Sequence, residues 1–388
     1  MNASHHNGLA ATANHCAEKE HETLVHEILE SARIEIDGQM PWDIRINDER
    51  FYQRIMTDGS LGLGESYMEG WWDCDRIDEF FNRIMPLDPQ NKIRNDWRLL
   101  SRLLYVSMVN TCRKSRAFVI GEKHYDIGND LFTKMLDKRM VYSCGYWKDA
   151  LDLDEAQENK LDLTCRKLGL KTGDRVLDIG CGWGGFARYA AERYGVTVVG
   201  ITVSRQQQEL GMRMCEGLPV ELRLQDYRDL DETFDHIVSI GMFEHVGARD
   251  HRPYMQVVHR CLNDDGLFLL HTIGNRMSDK VNEPWMNKYI FPNYLLPSMG
   301  QIGTAVDDLF IIEDVHNFGF YYDRTLMSWF DNFDRNWDSL RESYGEGFYR
   351  MWKYYLLSSA GSFRTRSMQV WQIILSKHGM PAGYAAVR

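Results

Sequence analysis

The stretch Arg175-Val-Leu-Asp-Ile-Gly-Cys-Gly-Trp-Gly-Gly185 constrains the fold more than any other part of this chain. The apolar pair Val176-Leu177 ends in Asp178. Gly180, Gly182 and Gly184 then alternate with other residues, and the segment from Phe186 to Arg193 has a helical pattern. A strand, a glycine-rich turn and a helix N-terminus thus follow in one pass. Glycines let the backbone turn tightly and let a ligand approach where a Cβ would obstruct it. The pattern points to a nucleotide-like ligand at a strand end.

From residue 175 onward the pattern repeats as strand, helix, strand. After the first strand, Thr197-Val-Val-Gly-Ile201, Glu221–Leu224, His236-Ile-Val-Ser-Ile240 and Leu267-Phe-Leu-Leu-His271 read as further strands. Helices are predicted over Ser204 to Cys215 and near Arg252–Cys261. Such alternation predicts an α/β fold with a doubly wound parallel sheet. Phe310–Val315 and Met368–Ser376 are candidates to complete it. An insertion at 282–303 carries Trp285, Tyr289, Phe291, Tyr294 and Pro297, which suits a lid or an apolar pocket wall.

The N-terminal third reads differently. Residues 1 to about 18 look like a disordered tail, and Leu24, Val25, Ile28, Leu29 and Ala32 share one helical face. Asp43–Asn47 alternates like a short strand, and Gly59-Ser-Leu-Gly-Leu-Gly64 reads as a flexible turn. The division expected is a smaller, mainly helical unit over 1–115 and a catalytic unit over 116–388. Between 92 and 116 lie seven basic residues and one acid, Asp96, with Ile93, Trp97, Leu100 and Leu104 at helical spacing. This segment fits either an interdomain helix with a solvated face or a peripheral contact with anionic lipid headgroups.

Composition narrows the setting. The net charge of −11 argues against nucleic acid as a partner. The eight cysteines form no CxxC and suggest reduced cytoplasmic thiols, with no metal framework. No secretory leader and no bilayer-spanning run are expected, so membrane contact would be peripheral, at the inner face.

A glycine-rich turn alone also suits dinucleotide enzymes. Two details favour another cofactor. Asp178-x-Gly-x-Gly-x-Gly184 resembles motif I of the S-adenosylmethionine (SAM) methyltransferases. Asp226-Tyr227 follows the third strand, where such enzymes hold the adenine amino group. The second strand ends Gly200-Ile-Thr202 and lacks the usual acid for the ribose hydroxyls; Thr202 and Gln207 can supply neutral hydrogen bonds instead.

Further stretches resemble the cyclopropane-fatty-acid synthase family, which includes the mycolic acid cyclopropane synthases. They are His124-Tyr-Asp-Ile-Gly-Asn-Asp-Leu-Phe132, Tyr142-Ser-Cys-Gly-Tyr-Trp147, Gln157-Glu-Asn-Lys160, Gly241-Met-Phe-Glu-His-Val-Gly247, His271-Thr-Ile-Gly274 and Phe318-Gly-Phe-Tyr-Tyr-Asp-Arg-Thr-Leu326. The resemblance covers nearly the whole chain, and residues 1 to 115 resemble the extra N-terminal unit of the phospholipid-acting branch.

The resemblance implies a Rossmann-like class I methyltransferase sheet. It also implies transfer of the SAM methyl to a cis double bond of an unsaturated phospholipid acyl chain, with ring closure to a cyclopropane. An alkene is a weak nucleophile and the cation formed is quenched by water, so such a site must be dry and aromatic. The family's bound bicarbonate would take the proton lost on ring closure. Its implied holders here are Cys144, Glu244, His271, Ile273 and Tyr322, with Cys144 acting through its backbone rather than as a nucleophile. The implied SAM contacts are Tyr142, Ser143, Gly180, Gly182, Thr202, Gln207 and Tyr227, and position adds Asp226. Some relatives carry a Cys where this chain has Ser359, so no thiol is needed there. The family further implies a homodimer. The alternative products are a methyl-branched acyl chain or a methylated small amine, and a catalytically silent lipid-binding protein is a rival of another class.

Overall fold

The computed structural model describes residues 19, 21–87, 127–278 and 282–388. The N-terminal tail, the basic segment 92–116 and His124-Tyr-Asp126 lie outside the described residues.

The predicted strand–turn–helix grows into a seven-stranded sheet. Its strands are β3 (Arg175–Ile179), β4 (Thr197–Thr202), β5 (Val220–Leu224), β6 (Phe234–Ile240), β7 (Leu262–Asn275), β8 (Ile311–Asn317) and β9 (Met368–Ser376), in the order β5-β4-β3-β6-β7-β9-β8. From β5 to β7 neighbouring strands run parallel, and β9 enters antiparallel between β7 and β8. The two late candidates therefore do complete the sheet, although it is mixed rather than wholly parallel. Central strands are apolar on both faces: Val176, Leu177, Ile237, Val238, Phe268 and Leu269 are all buried.

The N-terminal part, residues 21–87, contains α1 (residues 21–31), the antiparallel pair β1 (Ile44–Ile46) and β2 (Trp72–Cys74), α2 (Arg50–Asp58), α3 (Ser60–Met68) and α4 (Ile77–Ile84). The flexible turn expected at 59–64 is instead mostly helix. Only Gly59, at φ 58°, breaks the chain direction. A Cβ on Gly62 would lie 2.4 Å from the Arg54 carbonyl oxygen, and one on Gly64 would lie 2.3 Å from Trp285. These two glycines are packing contacts, not hinges.

In residues 127–388 follow α5 (Asn129–Met135), α6 (Leu153–Leu168), α7 (Gly185–Tyr194), α8 (Arg205–Met214), α9 (His251–Cys261), α10 (Pro284–Tyr289), α11 (Met299–Val306), α12 (Tyr321–Asn336) and α13 (Arg341–Arg364). Asp152 caps α6, accepting from the Glu155 amide, and Gly169 ends it in the left-handed conformation. Ser298 and Gln301 form a capping box on α11.

One aromatic core joins the two parts. Tyr354 of α13 contacts Tyr67, Phe81 and Trp285 at ring distances of 5.6, 5.6 and 4.6 Å. Arg364 bridges Asp323 to Asp78 and Glu79. Glu65 of α3 accepts from Lys288 at 2.5 Å and Tyr289 at 2.8 Å, fastening the aromatic insertion to the N-terminal part. No described helix is long and apolar enough to cross a membrane.

Candidate active site

The turn after β3 is built as its glycines demand. Gly180, Gly182 and Gly184 have φ of 81°, 55° and 77°, the region that a side chain disfavours. The amides of Gly180 and Cys181 donate to the Ile201 carbonyl at 2.9 and 3.0 Å, locking the turn to β4. A Cβ on Gly182 would meet no protein atom within 4 Å, so this glycine faces open space. Tyr142, Ser143, Gly180, Gly182, Thr202, Gln207, Asp226 and Tyr227, the whole expected SAM set, line one cavity. Thr202 Oγ1 donates to Gln207 Oε1 at 2.8 Å, and Ser204 caps α8. Asp226 accepts from the Arg228 amide at 2.9 Å and pairs with its guanidinium at 3.0 Å. An open glycine beside neutral donors and one acid fits a nucleoside with an adjoining amino-acid group.

Lys160 is a lining residue that received no role from sequence. Its ammonium donates to Ser143 Oγ at 2.7 Å. Burial pushes it down to about 8, opposed by the charges of Asp137 and Asp178. Asp178, directly before the turn, is pushed up to about 7 by burial, with Lys160 pulling the other way. Lys160 also acts electrostatically on Cys144 and His271, so it links the cavity to the second group of expected residues.

That second group is spread over the loop before α6 (Cys144), the turn past β6 (Glu244), the C-terminal part of β7 (His271 and Ile273) and the start of α12 (Tyr322). Glu244 sits in a short 3-10 turn past β6, and Oε1 accepts from the Ile273 amide at 2.6 Å. Its Oε2 is buried and has no hydrogen-bond partner among the described residues. Burial pushes this carboxyl up to about 7, the Ile273 amide opposing. His271 and Ile273 alternate on β7 and therefore share a face. Burial first, then Lys160 and Lys167, drives the His271 imidazole well below its ordinary range, so it is neutral. Cys144 is fully buried and its thiol is pushed upward by burial, which makes it inert. The next residue's amide, Gly145 N–H, donates to Thr325 Oγ1 at 3.1 Å, on the helix that carries Tyr322. Tyr322 packs on Phe363 at 4.5 Å and edge-on to Trp329.

A buried carboxyl near neutrality with an unpartnered oxygen can share a proton with a small anion. The Ile273 amide, expected to face that anion, is already engaged by Glu244. His245, beside Glu244, also lines the cavity; burial pushes it down to about 4 and its Nδ1 has no partner among the described residues. Sequence reasoning gave no role to Lys160 or His245, both inside the family stretches, and did not name Gln372, which lies behind His271. For Lys160 the sequence offered only the helical spacing of polar residues at 157, 160, 164 and 167, a face that the structure buries.

Comparison with known proteins extends these observations. Residues 112–373 match the family model described as mycolic acid cyclopropane synthetase. The chain is 49% identical over 365 residues to the cyclopropane-fatty-acyl-phospholipid synthase of Escherichia coli K12, covering 94% of this chain and 95% of that protein. It is 36% identical to a probable fatty acid methyltransferase of Pseudomonas putida, over 66% of this chain and 68% of that protein. Among solved structures, the cyclopropane synthase MmaA2 of Mycobacterium tuberculosis superposes with a TM-score of 0.64 at 30% identity, over 67% of this chain and 98% of that one. A mycolic acid cyclopropane synthase complexed with SAH and CTAB gives 0.64 at 32% identity, over 67% and 98%. The sheet is that of the class I Rossmann-like methyltransferases.

Proposed function

Since the chain belongs to the mycolic acid cyclopropane synthetase family, we propose that it is a SAM-dependent methyltransferase that converts the cis double bond of an unsaturated phospholipid acyl chain into a cyclopropane ring. The observation that carries this reading is its similarity to the E. coli synthase over 94% of the chain, the N-terminal part included, whereas the fatty acid methyltransferase of P. putida matches over 66%.

When bound, SAM supplies an electrophilic methyl group. The chain's own residues hold and shield it. Gly180 and Gly182 admit the cofactor, Thr202, Gln207, Asp226 and Tyr227 address its nucleoside end, and Tyr142 and Ser143 flank the other side, with Lys160 holding Ser143. Trp329, Phe363 and Tyr322 form a dry aromatic surface suited to developing positive charge. Bicarbonate is the proposed base for the proton lost on ring closure. Glu244 Oε2 would share its proton, His271 and Tyr322 would donate to it, and backbone at Cys144 would complete the shell, while the Ile273 amide acts through Glu244 Oε1, which it holds. The 1–115 unit and the basic segment 92–116 engage anionic lipid at the inner face of the membrane, and the working form is a homodimer.

Incubation of the purified protein with SAM and vesicles of unsaturated phospholipid, followed by mass spectrometry of the acyl chains, tests this. The expected product is heavier by one CH₂ and lacks an alkene. A saturated methyl branch, richer by two hydrogens, would replace this reading with the branched-chain alternative. Light scattering that shows only a monomer would remove the dimer, and flotation without vesicle binding would remove the membrane contact.

A further inference from the structure

The groups behind His271 determine which of its ring nitrogens carries the proton. We propose that Gln372 is a positioning residue that holds His271 as the Nε2–H tautomer, so that its N–H faces the site. The functional consequence rests on the reading of His271 as a donor to the anion; the tautomer itself does not.

Gln372 on β9 pairs directly with His271 on β7 in the antiparallel ladder, which puts their side chains on one face. Both are buried. Gln372 Nε2 lies 3.2 Å from Thr164 Oγ1 and 3.4 Å from His271 Nδ1. The Thr164 hydroxyl decides the direction of this chain. Its single proton goes to the Lys160 carbonyl at 2.8 Å, so Oγ1 is left only to accept. The group facing it must therefore be the Gln372 amide nitrogen. The second N–H of that nitrogen is directed at His271 Nδ1, which accepts, and the ring proton stays on Nε2.

The reversed amide is worse. It would set Oε1 against the Thr164 oxygen, whose proton is already committed, and would strand two buried donors. As placed, the amide leaves a single buried acceptor, Gln372 Oε1, without a partner, which is the milder defect. Burial first, then Lys160 and Lys167 on α6, opposes a second proton on the ring, so the neutral tautomer persists. With the opposite tautomer His271 would present a lone pair to an anion, and the contact would turn repulsive. Fixing a histidine through its far nitrogen is how orienting partners act on metal-binding and catalytic imidazoles.

The test is nitrogen-15 NMR of the full-length protein labelled at histidine, with the His271 signal identified by its loss in His271→Asn. The wild-type spectrum at neutral pH should show Nε2 protonated and Nδ1 bare. The reverse pattern, or an even mixture, overturns the proposal without reference to any variant. In Gln372→Glu the new carboxylate accepts from Nδ1, so the tautomer should switch and turnover should fall about 10- to 100-fold while KM for SAM stays put. Gln372→Met preserves volume without a donor and should give a mixed tautomer and a smaller loss. A Gln372→Met protein with the wild-type tautomer overturns the positioning role. If the tautomer switches in Gln372→Glu but turnover does not move, the assignment of Gln372 holds and the reading of His271 as an anion donor fails.

Discussion

The two sides of the site use their polar atoms in different proportions. On the cofactor side the side chains are tied to one another before any ligand arrives: Thr202 to Gln207, Asp226 to Arg228, Ser143 to Lys160. On the acceptor side Glu244 Oε2 is buried without a partner among the described residues; His245 Nδ1, at the border of the two sides, and Tyr227 Oη, on the cofactor side, share that state. An unsatisfied buried polar atom costs on the order of 1–3 kcal/mol. Such atoms belong where a ligand completes them. The difference is one of degree: binding rests mostly on side chains already paired within the protein, whereas the proposed chemistry centres on a carboxyl oxygen held in reserve.

The sharpest way to break this division is Glu244→Gln. It removes the proton-sharing oxygen and leaves the cavity intact, so turnover should drop by about 10²- to 10⁴-fold, with SAM affinity by calorimetry nearly unchanged. An equal loss in both would merge the two sides. The same variant changes the response to pH. The Glu244 carboxyl is moved by burial from 4.5 to about 7. Between those values the folded state keeps a proton that the unfolded chain has released, so its contribution to stability falls as pH rises through that window. Denaturant titrations should show a shallower fall for Glu244→Gln than for the wild type. Asp178, shifted upward in the same direction, remains in both proteins.

On the cofactor side the expected effects are smaller and appear in binding and stability. Lys160→Met leaves Ser143 without its donor and Asp178 without its nearby cation; unfolding free energy should fall by about 1–3 kcal/mol, together with SAM affinity. An unchanged midpoint would show that the buried ammonium is dispensable. Thr202→Val deletes the hydrogen bonds to Gln207 Oε1 and from the Ser204 amide and should weaken SAM binding by about 1 kcal/mol while leaving turnover at saturating SAM untouched. A loss of turnover at saturation would place Thr202 in the chemistry and blur the contrast.

The cofactor side was also the more legible in sequence. A strand, its turn and the next helix are contiguous, and all eight residues assigned to SAM line one cavity. Alternating glycines read the same way twice, however, and were a turn only once. At 180–184 the preceding strand and the positive φ values impose the turn. At 59–64 the glycines serve contacts with Arg54 and with Trp285, whose distance along the chain hides the reason. Lys160, quoted only as part of a family stretch, and Gln372 were left without a role for a similar cause. Lysine and glutamine on an element normally mark its wet face, and only tertiary packing turns those faces inward.

The antiparallel insertion of β9 has a consequence in time. The cofactor turn is complete by residue 185, yet the strand bearing His271, already paired to β6, gains its second neighbour only when residues 368–376 join the sheet. During synthesis the chain can shape the donor side long before it can shape the reacting side. A chain released early, or clipped near its end, would hold the methyl donor without the means to use it, so interrupted synthesis yields a silent protein rather than an errant alkylating one.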